Sequence, residues 1–154
     1  MNASTDHDAA HLACAQAALK RAYLLLGYGH FEQAIAACEE AIAHCPNHPL
    51  APALQGAILC ASGRTSEALQ HLARVMRRFP DEIVARIYFC EACFLGGRTQ
   101  RGFKELDKLD DELSDDDPWT PFVDSLRESF EGLDPKQIPP ALVVPQMPIE
   151  QTSA

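Results

Sequence analysis

Gly29, Gly63 and Gly97 stand 34 residues apart, and no other feature of this 154-residue chain restricts its fold as much. Other positions keep the same step. Ala34, Ala68 and Gly102 share one register, Cys38, Leu72 and Leu106 a second, and Ala41, Val75 and Leu109 a third. Pro46 and Pro80 follow the same interval. A fixed period of this size marks a stack of equal units that bury their apolar faces only against one another. Inside each unit the apolar spacing is helical. Leu19, Tyr23 and Leu26 lie on one face of a first helix, and Phe31, Ile35, Cys38 and Ile42 on one face of a second.

The residue types explain the register. Two helices cross closely only where side chains are small. Ala22, Gly56 and Cys90 fill that place on the first helix of each unit, and Ala34, Ala68 and Gly102 on the second. The turn glycines suit a left-handed backbone at the end of the first helix. Pro46 and Pro80 stop the second helix, because proline cannot continue its hydrogen-bond ladder. A 34-residue helix–turn–helix period resembles the tetratricopeptide repeat (TPR). The expected fold is therefore all-α: three repeats, over residues 15–48, 49–82 and 83–116, forming a right-handed α-solenoid within a domain spanning 9–131. The Trp usual in the first helix of that repeat is missing, and Ser114 stands where a third proline is expected.

A solenoid needs its last apolar face covered. Residues 119–131 supply a capping helix, with Phe122, Leu126 and Phe130 at i, i+4 and i+8. Asp117 or Thr120 is placed to cap its start, and Pro121 suits its first turn. Five of the eleven prolines fall between Pro135 and Pro148, so 132–154 reads as an extended tail. Residues 1–8 read as a flexible N-terminus.

Composition narrows the function. The formal net charge of -9 argues against nucleic acid, whose phosphates require a basic surface. No run approaches the ~18 apolar residues that span a bilayer. The polar, acidic start lacks the regions of a signal peptide, and six cysteines suit free thiols, so the expected location is cytoplasmic. No nucleophile–base pair, phosphate-binding glycine loop or H-E-x-x-H motif is present, so neither catalysis nor a cofactor is expected. Cys90 and Cys93 form a C-x-x-C in mid-helix, where free cysteines behave as small apolar packing groups. His7, His11 and Cys14 on one helix face, and His44, Cys45 and His48 at a turn, each fall short of a four-ligand metal shell. The eight acidic residues from Glu105 to Asp117 read as a solvated face. Residues 64–104 hold eight of the 13 basic residues, and Arg74, Arg77 and Arg78 among them read as solvent-facing on a second helix.

In stacked helix pairs the first helices line the concave side. The inward positions are Gln16, Leu19, Tyr23 and Leu26, then Leu50, Ala53, Ala57 and Cys60, then Val84, Ile87, Glu91 and Phe94. The apolar members are the expected partner-binding groove. Many tetratricopeptide cochaperones grip a terminal carboxylate with Lys, Arg and Asn. Here those places hold Leu19, Tyr23, Leu54, Val84 and Tyr88, so that clamp is absent. An apolar groove suits an amphipathic helix instead. It also suits the chain's own tail or a second copy, which makes a homodimer a further possibility.

Over residues 63–130 the chain resembles the tetratricopeptide chaperones of type III secretion needle subunits. The resemblance rests on Phe79-Pro80-Asp81, Cys90-Glu91, Gly96-Gly97, Asp117-Pro118, Phe122-Val123 and Arg127-Glu128. It implies a small needle-forming client whose amphipathic helix lies in the groove, often beside a helical cochaperone. Masking that helix blocks premature polymerisation. Pro140, Leu142 and Pro145 form P-x-L-x-x-P, which resembles the segment recognised by type III translocator chaperones. That motif leaves a translocator chaperone, a groove-filling tail and a generic interaction scaffold as alternatives.

Overall fold

The computed structural model describes residues 3–131, and these fold into seven helices with no strand. They are α1 Ala3–Gly27, α2 Phe31–His44, α3 Leu50–Ala61, α4 Thr65–Arg78, α5 Ile83–Leu95, α6 Thr99–Glu112 and α7 Thr120–Phe130. Helices α1 and α2, α3 and α4, and α5 and α6 pack as hairpins. Successive hairpins meet through α2–α3, α4–α5 and α3–α5, and α7 closes the stack against α5 and α6. This is the all-α architecture of stacked helical hairpins that the period requires.

The turns follow from single residues. Gly29, Gly63 and Gly97 have φ of +77°, +85° and +77°, a region that costs a glycine little. The next residue's amide then reaches back to the first helix, as His30 N to Leu25 O at 2.9 Å and Arg64 N to Leu59 O at 2.9 Å. The second helices keep one register of burial: Ala34, Cys38 and Ala41 on α2, Ala68, Leu72 and Val75 on α4, and Gly102, Leu106 and Leu109 on α6. A narrow stripe of this kind belongs to an outer helix with one face in the core.

The inner helices are different. Every residue of α3 is buried apart from Pro52, Gln55 and Ala61, and every residue of α5 apart from Ile83, Arg86 and Leu95. Small residues set how closely they approach their neighbours. A Cβ added at Gly56 would stand 2.5 Å from Leu72 Cγ, and one added at Gly102 would meet the Phe94 ring at 2.8 Å. The Leu72 side chain of α4 therefore seats on the bare backbone of α3 at Gly56, and the Phe94 ring of α5 on that of α6 at Gly102.

Two expectations change. Residues 1–8 are not loose throughout, because α1 already begins at Ala3. Asp6 sits in the first turn, where a carboxylate favours the helix dipole, and His11 meets His44 of α2. At α7 neither Asp117 nor Thr120 caps the helix. Asp117 Oδ1 accepts from Trp119 N at 2.9 Å, and the Thr120 hydroxyl donates to Ser114 O at 2.7 Å, so both shape the preceding turn. Pro121 does stand in the first turn, and Val123, Leu126 and Phe130 are the buried residues of α7. The ring of Phe130 stacks on that of Phe94 at 4.6 Å. The acidic face of α6 serves the same junction, since Arg127 bonds Asp110 and lies 2.9 Å from Asp107. Glu112 pairs with Arg86 of α5.

Candidate concave wall

The wall is assembled from the inward faces of α1, α3 and α5. The structure corrects the expectation that its apolar side chains form an open groove. Leu19, Leu50, Ala53, Ala57, Cys60, Val84, Ile87 and Phe94 are all buried, none more than 5% exposed. Only Tyr23 and Leu26 are half-buried at its edge. The reason is in the side-chain sizes. The α3 positions are small, at Ala53, Gly56 and Ala57, so α3 packs tightly against α2, α4 and α5. The larger side chains of α5 then pack into the one continuous core, Phe94 against Phe103 and Phe130. Large exposed apolar side chains among the described residues are Leu12 and Leu24 on α1 and Tyr28 in the turn after it.

Three polar groups punctuate this apolar wall. The hydroxyls of Tyr23 and Tyr88 lie near one another without a well-formed hydrogen bond. Burial pushes the Tyr23 phenol above its ordinary range, and the Tyr88 phenol, almost wholly enclosed, well above it. Glu91 is 4% exposed, and its Oε2 has no hydrogen-bond partner among the described residues. Burial alone drives its carboxyl well above the usual carboxylate range. None of the seven ion pairs among the described residues includes it. A charge buried without a counterion is costly, so burial holds this carboxyl in its neutral form. Tyr88 and Glu91 stand outside the ten expected groove residues, although Glu91 occupies an inward position. The signal was visible as the single charge in the otherwise uncharged stretch from Ile87 to Leu95.

The other sequence candidates resolve as follows. All six cysteines are free. Cys90 and Cys93 are fully buried, and burial raises the Cys93 thiol to about 11 and the Cys90 thiol further. Cys38 and Cys60 are pushed up to about 12 for the same reason. Such thiols carry little thiolate near neutrality, and thiolate is the reactive form. The two histidine sets meet across α1 and α2. His11 Nδ1 lies 2.9 Å from His44 Nδ1, and His11 Nε2 lies 3.0 Å from His7 Nε2. His11 thus turns a different nitrogen to each neighbour, and the three rings form a chain with no common centre. Among the described residues no group of three His, Cys, Asp or Glu is arranged to hold a metal.

On the outer side a polar cleft between α2 and α4 is lined by Glu32, Glu39, Arg64, Glu67, His71 and Arg74. Arg64 bonds both Glu32 and Glu67 there. Arg78 is engaged too, with Asn47 at 2.8 Å. No described helix is long and apolar enough to cross a membrane. Pro140, Leu142 and Pro145 lie outside the described residues.

Comparison with known families adds one match. Residues 25–82 match the family model described as tetratricopeptide repeat. The match runs from the end of α1 to the residue before α5, and so takes in α2, α3 and α4. No curated protein and no solved structure matches the chain.

Proposed function

We propose that this chain is a non-catalytic protein-interaction module whose partner presents an amphipathic helix to the concave wall. Tetratricopeptide units generally act as scaffolds for protein contacts, and the matched segment contains the centre of the wall. The single observation that carries the reading is the wall's composition. Inward positions of α1, α3 and α5 are apolar, and Tyr23, half-buried at the edge beside Leu26, is the polar point an occupant can reach. Apolar burial provides affinity in such an interface, while a few unsatisfied polar groups provide orientation. The wall's centre is enclosed by core packing, so a client is met at its edge. Tyr23 and Leu26, half-buried at that edge, are the contacts open to it.

The finer reading is a cytoplasmic chaperone for a secreted, self-assembling subunit of the type III needle kind. It rests on the resemblance over residues 63–130 and on the physical need to mask a polymerising helix. The test is co-expression with a needle-type subunit, followed by affinity capture and sizing. A defined complex is expected, and Tyr23→Asp or Leu26→Asp lowers client recovery at least tenfold. Undiminished recovery in variants that keep their helical circular dichroism excludes the wall as the binding surface. Failure of any needle-type subunit to bind the folded chain excludes the chaperone reading and leaves the scaffold.

A further inference from the structure

We propose that His7 and His11 form a chelating site for a divalent cation of the nickel or copper class, with His44 as the residue that positions His11. No point serves all three rings, but one serves two of them. His7 and His11 stand four residues apart on α1, the spacing that sets two side chains on one helix face. Both of His11's contacts are short, yet they differ in kind. Toward His44 the nitrogens lie 2.9 Å apart and the ring centres 5.2 Å, as in a head-on hydrogen bond. Toward His7 the nitrogens lie 3.0 Å apart but the ring centres only 4.3 Å, with the planes at 85°. The Nε2 atoms of His7 and His11 therefore sit side by side, as two ligands of one cation do.

The separation selects the metal. Imidazole nitrogens bind at about 2.0–2.1 Å, so a gap of 3.0 Å subtends about 94° at the cation. That is a cis pair of a tetragonal or octahedral site, narrower than the roughly 109° of tetrahedral zinc. Copper(II) and nickel(II) accept this geometry and suit imidazole. Among the described residues no third protein ligand is arranged there, so water fills the remaining positions. The formal net charge of -9 favours the approach of any cation.

His44 supplies the orientation. With the proton on His11 Nδ1, that nitrogen donates to His44 Nδ1 and leaves the His11 Nε2 lone pair for the metal. Metal-bound histidines are commonly held through the other ring nitrogen in this way. The site also has a consequence for the fold. Both ligands precede Ala15, the first core residue of α1, so the cation fastens two turns that the core does not hold. A cation that binds the folded form preferentially stabilises it.

The test is calorimetric titration of the full-length protein with Ni2+ in a non-chelating buffer, since Ni2+ leaves thiols unoxidised. One site per chain is expected, binding Ni2+ more tightly than Zn2+. His7→Ala and His11→Ala, both outside the core, should each weaken it at least about tenfold, as should His44→Ala. His44→Asn keeps an acceptor at the Nδ1 position and should restore affinity to within about threefold. Cys14→Ser should leave binding unchanged. Ni2+ should slow amide exchange over residues 3–14 in the parent and not in His7→Ala. Undiminished binding in His7→Ala or His11→Ala overturns the proposal, as does equal affinity in the urea-unfolded chain. Loss of binding in Cys14→Ser overturns the two-imidazole assignment, and full binding in His44→Ala removes the positioning role.

Discussion

Gly56→Ala tests whether the close seating of Leu72 on a glycine sets the geometry of the stack. The added Cβ would lie 2.5 Å from Leu72 Cγ, well inside ordinary carbon–carbon contact. Leu72 is fully buried, and the overlap reaches its branch carbon rather than only its free ends, so the side chain has little room to swing aside. Overpacking costs about 1–3 kcal/mol, and an overlap that reaches the branch carbon belongs to the upper part of that range, about 2–3 kcal/mol. Replacing glycine within a helix returns about 1 kcal/mol of propensity. The net expectation is a loss of about 1–2 kcal/mol, or roughly 4–8 °C in Tm. The assay is thermal and urea unfolding followed by circular dichroism at 222 nm. A cycle with Leu72→Ala isolates the contact. Leu72→Ala alone should cost about 2–5 kcal/mol, because it leaves a cavity at the crossing of α3 and α4. In the double variant the new methyl fills part of that cavity, so the combined loss should fall short of the sum by about 1 kcal/mol or more. A Gly56→Ala chain that melts at or above the parent's Tm would falsify the packing argument, as would strictly additive losses.

Titration with a thiol reagent should label Cys14 and Cys45 quickly in the native chain, and Cys38, Cys60, Cys90 and Cys93 only on unfolding, following their burial; rapid native labelling of Cys93 would restore a chemical role to the C-x-x-C. Alkaline pH should weaken the fold. Folded Cys38 and Cys60 are raised to about 12, so their stabilisation is complete below the unfolded thiol range and is lost as pH climbs toward the folded value. Each should cost about 2 kcal/mol between pH 8 and pH 10. The gap in unfolding free energy between the parent and Cys38→Ala, measured by urea in reductant, should narrow by that amount from pH 8 to pH 10. Phe130→Ala should cost about 3–5 kcal/mol and raise amide exchange across α7, since it removes the ring stacked on Phe94; unchanged exchange in α7 would show that the aromatic stack does not hold the cap.

The repeats were legible because their constraints are local. A positive φ at three turns needs glycine, a helix end tolerates proline, and a buried stripe on an outer helix recurs at fixed register. Leu72 of α4 and Leu106 of α6 obey the same rule as Cys38 of α2, and each is fully buried. The wall was less legible. Inward positions were identified from register alone, and register says which way a side chain points but not what lies over it. Ala53 and Ala57 are too small to keep neighbouring helices apart, and the side chains of α5 are large enough to fill the space, so positions read as a surface are enclosed. The start of α1 was misread because its anchor is distant: His44, 33 residues away, meets His11.

The sequence by itself determined the number of hairpins, their turns and the capping helix. Each of these depends on the conformational preference of a residue or on spacing along one helix. Tertiary structure alone decided that the wall is closed, that its thiols are held protonated, and that Glu91 stands buried without a cation among the described residues. Those properties belong to the space between helices. That space is fixed by how closely the Leu72 and Phe94 side chains seat on the bare backbone at Gly56 and Gly102, a contact between helices that no single segment contains.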